Sequence, residues 1–242
     1  FYNEVRGFWE LSRDAREPSY AQTAAFKQET ERDAFVAKQA LKVFTLNQAM
    51  KEELIRRGME TSKIELIPNG VSQLPDIKPA DPILKQKLGI NEGDKVIGYV
   101  GSFNAYEGLD TLIEACAALV EQGGPIKLLL VGDDQPLTEG STAGLAKVFK
   151  DAPVWLVQVG RVSHLQVADY YALIDTVVIP RKKLAVCNIV PPIKIVETLA
   201  YQKQVVVSDV GPVSEYAANF DGVVSFEAGS VKSLATALQS SL

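Results

Sequence analysis

From residue 95 onward the chain repeats one pattern: a short apolar run, a polar or glycine turn, an amphipathic stretch of helical length, then another apolar run. No other feature restricts the possible folds as much. The runs at 96–100, 126–131, 154–159, 176–179, 205–208 and 223–226 are rich in Val, Ile and Leu and do not alternate apolar with polar residues. Strands of that character are buried on both faces, as in the middle of a parallel sheet. The stretches at 108–122, 141–150, 165–173, 193–201, 213–218 and 231–238 predict the helices between them. Strands alternating with helices of this length make right-handed βαβ units, so the pattern predicts an α/β fold with a doubly wound, Rossmann-like parallel sheet.

The first 75 residues read differently. Helices are predicted at 31–38 and 50–57, and strands at 42–45 and 64–67. Two strands leave an unpaired edge and do not make an independent sheet. Residues 1–72 are therefore expected to be the remnant of a second, incomplete α/β domain whose first strands are absent. The start at Phe1, without Met or a signal-peptide pattern, fits that expectation. Residues 73–94, with Pro75, Pro79 and Pro82, read as linker and entry, and 95–242 as the nucleotide-binding domain. A chain of 242 residues that is 47% hydrophobic buries a sizeable core without disulfide or metal staples. Its net charge of −5 argues against nucleic acid as a partner. Cys116, Cys187 and the single His164 give too few ligands for a Cys/His metal site, so no metal is expected. No apolar run approaches the ~20 residues of a membrane span.

Several motifs then follow in a fixed order. They are Glu4-Val5-Arg6-Gly7-Phe8-Trp9-Glu10, Ile67-Pro68-Asn69-Gly70-Val71, Gly98-Tyr99-Val100-Gly101-Ser102-Phe103 and Gly160-Arg161-Val162, the last ahead of Tyr170-Tyr171-Ala172. Next come Pro180-Arg181-Lys182, the run Cys187-Asn188-Ile189-Val190-Pro191-Pro192-Ile193-Lys194, Glu197-Thr198-Leu199-Ala200 and Val206-Val207-Ser208-Asp209-Val210-Gly211. In this order and spacing they resemble the retaining glycosyltransferases of family four, which have the GT-B fold. The resemblance implies two lobes, the C-terminal one holding a nucleoside-diphosphate sugar and the N-terminal one shaping the site of an unknown acceptor. It implies no cofactor beyond the donor substrate, and as a partner the chain's own missing N-terminal part. A cytoplasmic location follows, with a peripheral position at the inner membrane left open for the full-length protein. On this reading the fragment alone is expected to have little transferase activity.

Such a transfer makes three demands on the lobe: grip base and ribose, neutralise the departing diphosphate, and hold the sugar with its anomeric carbon exposed. Glu197 resembles the second acid of the family's paired-acid motif, and a carboxylate suits a vicinal diol because it accepts two hydrogen bonds. Asn188 stands nine residues earlier, at the position of the first acid, and lacks the charge. Ile189 and Val190 follow it along the donor segment. Many relatives carry Arg and Lys after the first strand of this lobe, where this chain has Ser102 and Glu107. The Gly101 turn can still offer backbone N–H groups to a phosphate. Arg181, Lys182 and Lys194 are then expected to carry the charge neutralisation, at strand ends where open α/β sheets bind ligands. Gly160, Arg161 and Val162 resemble the base-binding turn, with Arg161 equally readable as structural; His164 reads as a helix-entry residue. Asp133 and Asp134 are as consistent with an ordinary turn as with the donor edge, and Tyr170 and Tyr171 read as packing. The substitutions at Ser102, Glu107 and Asn188 keep open an alternative, a non-catalytic sugar-nucleotide-binding fragment or pseudoenzyme. A GT-B-type sugar-nucleotide epimerase fits the 180–197 pattern less well.

Overall fold

The computed structural model describes residues 1–132 and 153–241. Its first sheet has three parallel strands, β1 (Tyr2–Val5), β2 (Lys42–Thr45) and β3 (Ile64–Leu66), side by side in that order. The sequence predicts only two of them. No apolar run marks β1, because an edge strand alternates exposed with half-buried residues and here includes the weak strand formers Asn3 and Glu4. Three helices accompany the strands: α1 (Trp9–Asp14), α2 (Ala24–Gln39) and α3 (Gln48–Arg56). α2 begins earlier than the apolar pattern suggests, because Thr23 caps it by accepting a hydrogen bond from the Phe26 N–H. Asn47 caps α3 in the same way through the Met50 N–H. Val43, Met50, Leu54 and Ile64 pack with Phe8, Ala37 and Ala40 into one core. Arg57 is buried at its margin, paired with both Glu10 and Glu53 and lying 4.2 Å over the Phe8 ring.

Residues 67–81 contain no helix or strand. α4 (Pro82–Lys87) follows, started by Pro82 and capped by Asp81, so the segment read as linker and entry includes a short helix.

The second sheet is the larger. Its strands are β4 (Lys95–Val100), β5 (Ile126–Val131), β6 (Leu156–Val159), β7 (Thr176–Ile179), β8 (Gln204–Ser208) and β9 (Val223–Phe226). All pair in parallel, in the order β6-β5-β4-β7-β8-β9. This is the doubly wound sheet the apolar runs predict. β6 starts two residues later than expected, and Val154 ahead of it is exposed. On one face α5 (Leu109–Glu121) packs with the C-terminal helix, which runs from Val231 to Ser241, through Leu112, Cys116, Leu234 and Leu238. The other face is covered by α6 (Val167–Leu173), with Tyr171 and Leu173 against Leu129 and Val177. α7 (Ala185–Ile189), a short helix the sequence did not announce, α8 (Ile193–Ala200) and α9 (Gly211–Asn219) enclose β7 and β8. The C-terminal helix is α10. The helix predicted at 141–150 lies outside the described residues.

The lobes meet through the segment after β7. Ile189 and Val190 pack against the N-terminal core, and Leu11 of α1 packs against the cores of both lobes. Asn47 also donates its side-chain N–H to the Ile189 carbonyl at 3.2 Å, joining the capped α3 to α7.

Candidate functional site

In the larger sheet the chain turns one way from β4, to β5 and β6, and then the other way, to β7, β8 and β9. The carboxyl ends of β4 and β7 are therefore the switch point of the sheet, the place where open α/β sheets bind ligands. The glycines there are forced by close packing. Gly101 follows β4 with φ +147°, and a methyl on Gly132, after β5, would lie 2.1 Å from the Gly101 carbonyl oxygen. Gly108 begins α5 with φ +75°, and a methyl there would lie 1.9 Å from the Pro180 carbonyl oxygen. Backbone thus touches backbone across the switch point, and the Lys182 N–H donates to the Tyr106 carbonyl at 2.9 Å.

A buried ionic cluster fills this junction. Glu107 is 5% exposed and accepts a hydrogen bond from Lys194 Nζ at 2.7 Å. Its other oxygen lies 3.7 Å from Arg181 Nε. Arg181 is 4% exposed, donates from Nη1 to the Val190 carbonyl at 2.8 Å, and leaves Nε without a hydrogen bond. Lys194 also donates to the Tyr99 hydroxyl at 2.7 Å, which in turn donates to the Ser102 carbonyl at 2.7 Å. The ammonium lies 3.1 Å from where a Gly101 side chain would begin, so it sits over the turn. Burial works against ionisation of Glu107, but Lys194 and Arg181 outweigh it and hold the carboxyl below its usual range. Burial likewise draws the Lys194 ammonium below the ordinary lysine value, opposed by Glu107. Two cations around one anion leave the cluster one positive charge in excess. Lys182, half-buried, is paired with Asp110 and adds no net charge.

Glu107, an expected misfit, is thus the centre of the cluster, and Arg181 and Lys194, expected as phosphate-neutralising cations, both lie against it. The partners of these cations, Glu107, Tyr99 and Asp110, were not foreseen from the sequence. The signal was a carboxylate in an apolar turn, at the sheet edge where Arg181, Lys182 and Lys194 concentrate positive charge.

The other singled-out residues form a second group. Glu197 lies in the second turn of α8, half-buried. Tyr171 and Tyr201 stack at 4.2 Å, and both have raised phenol pKa values, first from burial and then from the Glu197 charge. Val162 packs onto the same apolar cluster as Tyr171 and Tyr201. Asn188 is exposed at the end of α7, and its backbone lies so close to Gly211 that a methyl there would be 2.4 Å from the Asn188 carbonyl oxygen. Ser102 is exposed, and its hydroxyl accepts from Asn104 at 3.0 Å. His164 is exposed in the 3₁₀ turn before α6. Asp133 and Asp134 lie outside the described residues.

Two cavities flank this region. One of about 420 Å³ lies between the lobes, lined by Asn47, Gln48, Asn69, Pro191, Glu215 and Tyr216 among others. The second, about 470 Å³, lies at the end of β1 beside Arg6, Trp9, Arg57 and Val190. Neither is lined by Glu107, Arg181 or Lys194. Among the described residues no group of three or more His, Cys, Asp or Glu is arranged to hold a metal, and no helix is long and apolar enough to cross a membrane.

A doubly wound parallel sheet, with a buried ionic cluster and a glycine turn at its switch point, defines an open α/β protein of the Rossmann-like class. The chain belongs to the glycosyl transferases group 1 family, whose pattern matches residues 81–242. It is 27% identical over 173 residues to lipopolysaccharide 1,2-N-acetylglucosaminetransferase of Salmonella typhimurium, a match covering 69% of this chain and 44% of that protein. It therefore spans less than half the length of that curated relative. Two solved structures share the fold at 19% identity, each matching 99% of this chain. Anabaena Alr3699/HepE in complex with UDP and glucose has a TM-score of 0.74 over 61% of its length. Sucrose-phosphate synthase from Thermosynechococcus elongatus has a TM-score of 0.73 over 57%.

Proposed function

We propose that this chain supplies the donor-binding lobe of a glycosyltransferase that moves a sugar, with retention, from a nucleoside-diphosphate sugar to an acceptor held between the lobes. The observation that carries this reading is the Lys194–Glu107–Arg181 cluster, with its excess positive charge beside the Gly101 turn at the switch point. As the bond from the anomeric carbon to the diphosphate breaks, negative charge grows on the leaving group. Lys194, Arg181 and the backbone N–H of Ser102 after the Gly101 turn are already in place to receive it, the Gly101 N–H being held by the Val131 carbonyl, so little reorganisation is needed when it forms. No metal takes part in this reading. Glu197 accepts from the ribose hydroxyls, and backbone groups of the Gly160-Arg161-Val162 turn read the base. Asn188, with Ile189 and Val190, borders the sugar, and Lys182 supports the loop through Asp110. A uridine nucleotide is the first donor to test, since the Anabaena structure was determined with UDP.

Calorimetric titration with UDP, GDP and ADP identifies the base. Glu197→Ala is expected to weaken the tightest of them by about 1–3 kcal/mol, the cost of losing a charged hydrogen-bonding partner. Unchanged affinity removes Glu197 from the ribose. The second reading, a binder without turnover, is favoured by one feature: Asn188 offers no charge to a cationic transition state. Release of free nucleotide by the full-length protein in the presence of an acceptor extract supports the transferase. Binding without release supports the binder.

A further inference from the structure

We propose that Glu107 is a positioning residue for the diphosphate: it holds the Lys194 ammonium against the Gly101 turn, so that the remaining ammonium N–H meets the bound anion. This rests on the donor-site reading above. Two like charges carried by separate elements, Arg181 after β7 and Lys194 on α8, repel each other unless an anion lies between them, and Glu107 contacts both. Its own position is fixed, because it ends a 3₁₀ turn whose next residue, Gly108, is pressed against the Pro180 backbone. An ammonium has three donors. Glu107 and Tyr99 take two of those on Lys194, and the third is left beside the Gly101 turn. The ammonium also lies 4.4 Å over the Tyr99 ring, which restricts it further. Glu107 thus adds more than neutral packing, since it favours the charged form of a lysine that burial disfavours.

The groups facing Lys194 are Tyr99 and Glu107 from β4 and the turn after it, and Arg181 and Cys187 from the segment after β7. Tyr99 and Cys187 stay neutral near pH 8, because burial lifts the phenol well above its usual value and the thiol to about 11. Replacing Glu107 by the isosteric Gln therefore leaves Lys194 to lose its proton at lower pH than in the wild type.

The test is calorimetric titration of inorganic pyrophosphate, a probe independent of the base, into the wild type and Glu107→Gln between about pH 6 and about pH 9. Comparing the two proteins at each pH cancels the titration of the probe itself. At the acid end, where Lys194 is charged in both proteins, the variant is expected to bind pyrophosphate only a few-fold more weakly, because the ammonium is no longer held against the turn. At the alkaline end it is expected to bind roughly tenfold more weakly, one pKa unit being a factor of ten. A ratio that stays flat across the range, or runs the other way, overturns the proposal, since a purely structural defect weakens binding equally at every pH. Should the Gln variant fail to fold, Glu107→Asp keeps the charge but withdraws it by one methylene. It is expected to lose affinity for the tightest of UDP, GDP and ADP while keeping affinity for the matching nucleoside; equal losses for both overturn the proposal. Failure of the wild type to bind pyrophosphate or any of the three nucleotides instead refutes the donor-site reading itself.

Discussion

Gly108→Ala tests whether the two halves of the sheet close on each other at the switch point. Two costs arise and they are separable. Gly108 has φ +75°, and an L-residue there is disfavoured by roughly 1 kcal/mol. The added methyl would also lie 1.9 Å from the Pro180 carbonyl oxygen, whereas ordinary contact begins at 3.4 Å, so backbone has to retreat by about 1.5 Å. Pro180 sits between β7 and the buried Arg181 and has no side-chain rotation that would relieve the contact. Overpacking of this kind costs about 1–3 kcal/mol, and a backbone collision belongs at the upper end. The total is roughly 3–4 kcal/mol, or about 6–16 °C in melting temperature for a chain of this length. Gly123→Ala is the control, because Gly123 has φ +85° and nothing within 4 Å of the added methyl. It is expected to cost roughly 1 kcal/mol. Urea denaturation followed by circular dichroism measures both. Since Glu107 precedes Gly108 and Arg181 follows Pro180, Gly108→Ala is also expected to weaken nucleoside-diphosphate binding by about tenfold or more, with Gly123→Ala unaffected. Equal costs for the two variants would refute the close approach of the two halves.

Asn47→Asp keeps the cap on α3 but replaces the N–H that reaches the Ile189 carbonyl with a carboxylate oxygen. A loss of about 1–3 kcal/mol is expected, whereas preserved stability in thermal denaturation would show that the contact between the lobes contributes nothing. Arg57→Met leaves Glu10 and Glu53 buried without their shared cation. A loss of about 3–5 kcal/mol is expected, read from the urea midpoint, and a loss under about 1 kcal/mol would refute the structural role of the cluster. The pH dependence follows from Glu107, whose folded pKa is lowered. Its stabilising contribution is present above the unfolded carboxylate pKa of about 4.3 and is lost as pH falls through the folded value. Wild type is therefore expected to lose more stability on acidification below about pH 4.5 than Glu107→Gln does, and parallel acid unfolding curves would contradict the assignment.

Much of the larger sheet was legible because its signal is local. A strand covered by helices on both sides is apolar at nearly every position: Ile126–Val131 is buried throughout, and its one charged residue, Lys127, donates to the Val154 carbonyl. The motifs from Pro180 to Glu197 carried the family resemblance for a related reason: each lies within one short segment that keeps its own spacing. β1 was not legible, since an edge strand with one half-buried face has no apolar run to announce it. Its place beside β2 depends on pairing with residues forty positions away.

The sequence by itself determined the parallel α/β architecture and the residues that concentrate charge at one sheet edge. Only the tertiary structure decided how those charges are arranged. The sequence presents Ser102 and Glu107 as losses of positive charge after β4, and Arg181, Lys182 and Lys194 as independent replacements. In the folded chain Lys182 is paired with Asp110, while Glu107 gathers Arg181 and Lys194 into one cluster with a single excess positive charge. The reason is that a carboxylate's effect depends on what is within a few ångströms of it in a place that excludes water. Glu107 is 87 residues from Lys194 in the chain and 2.7 Å from it in space.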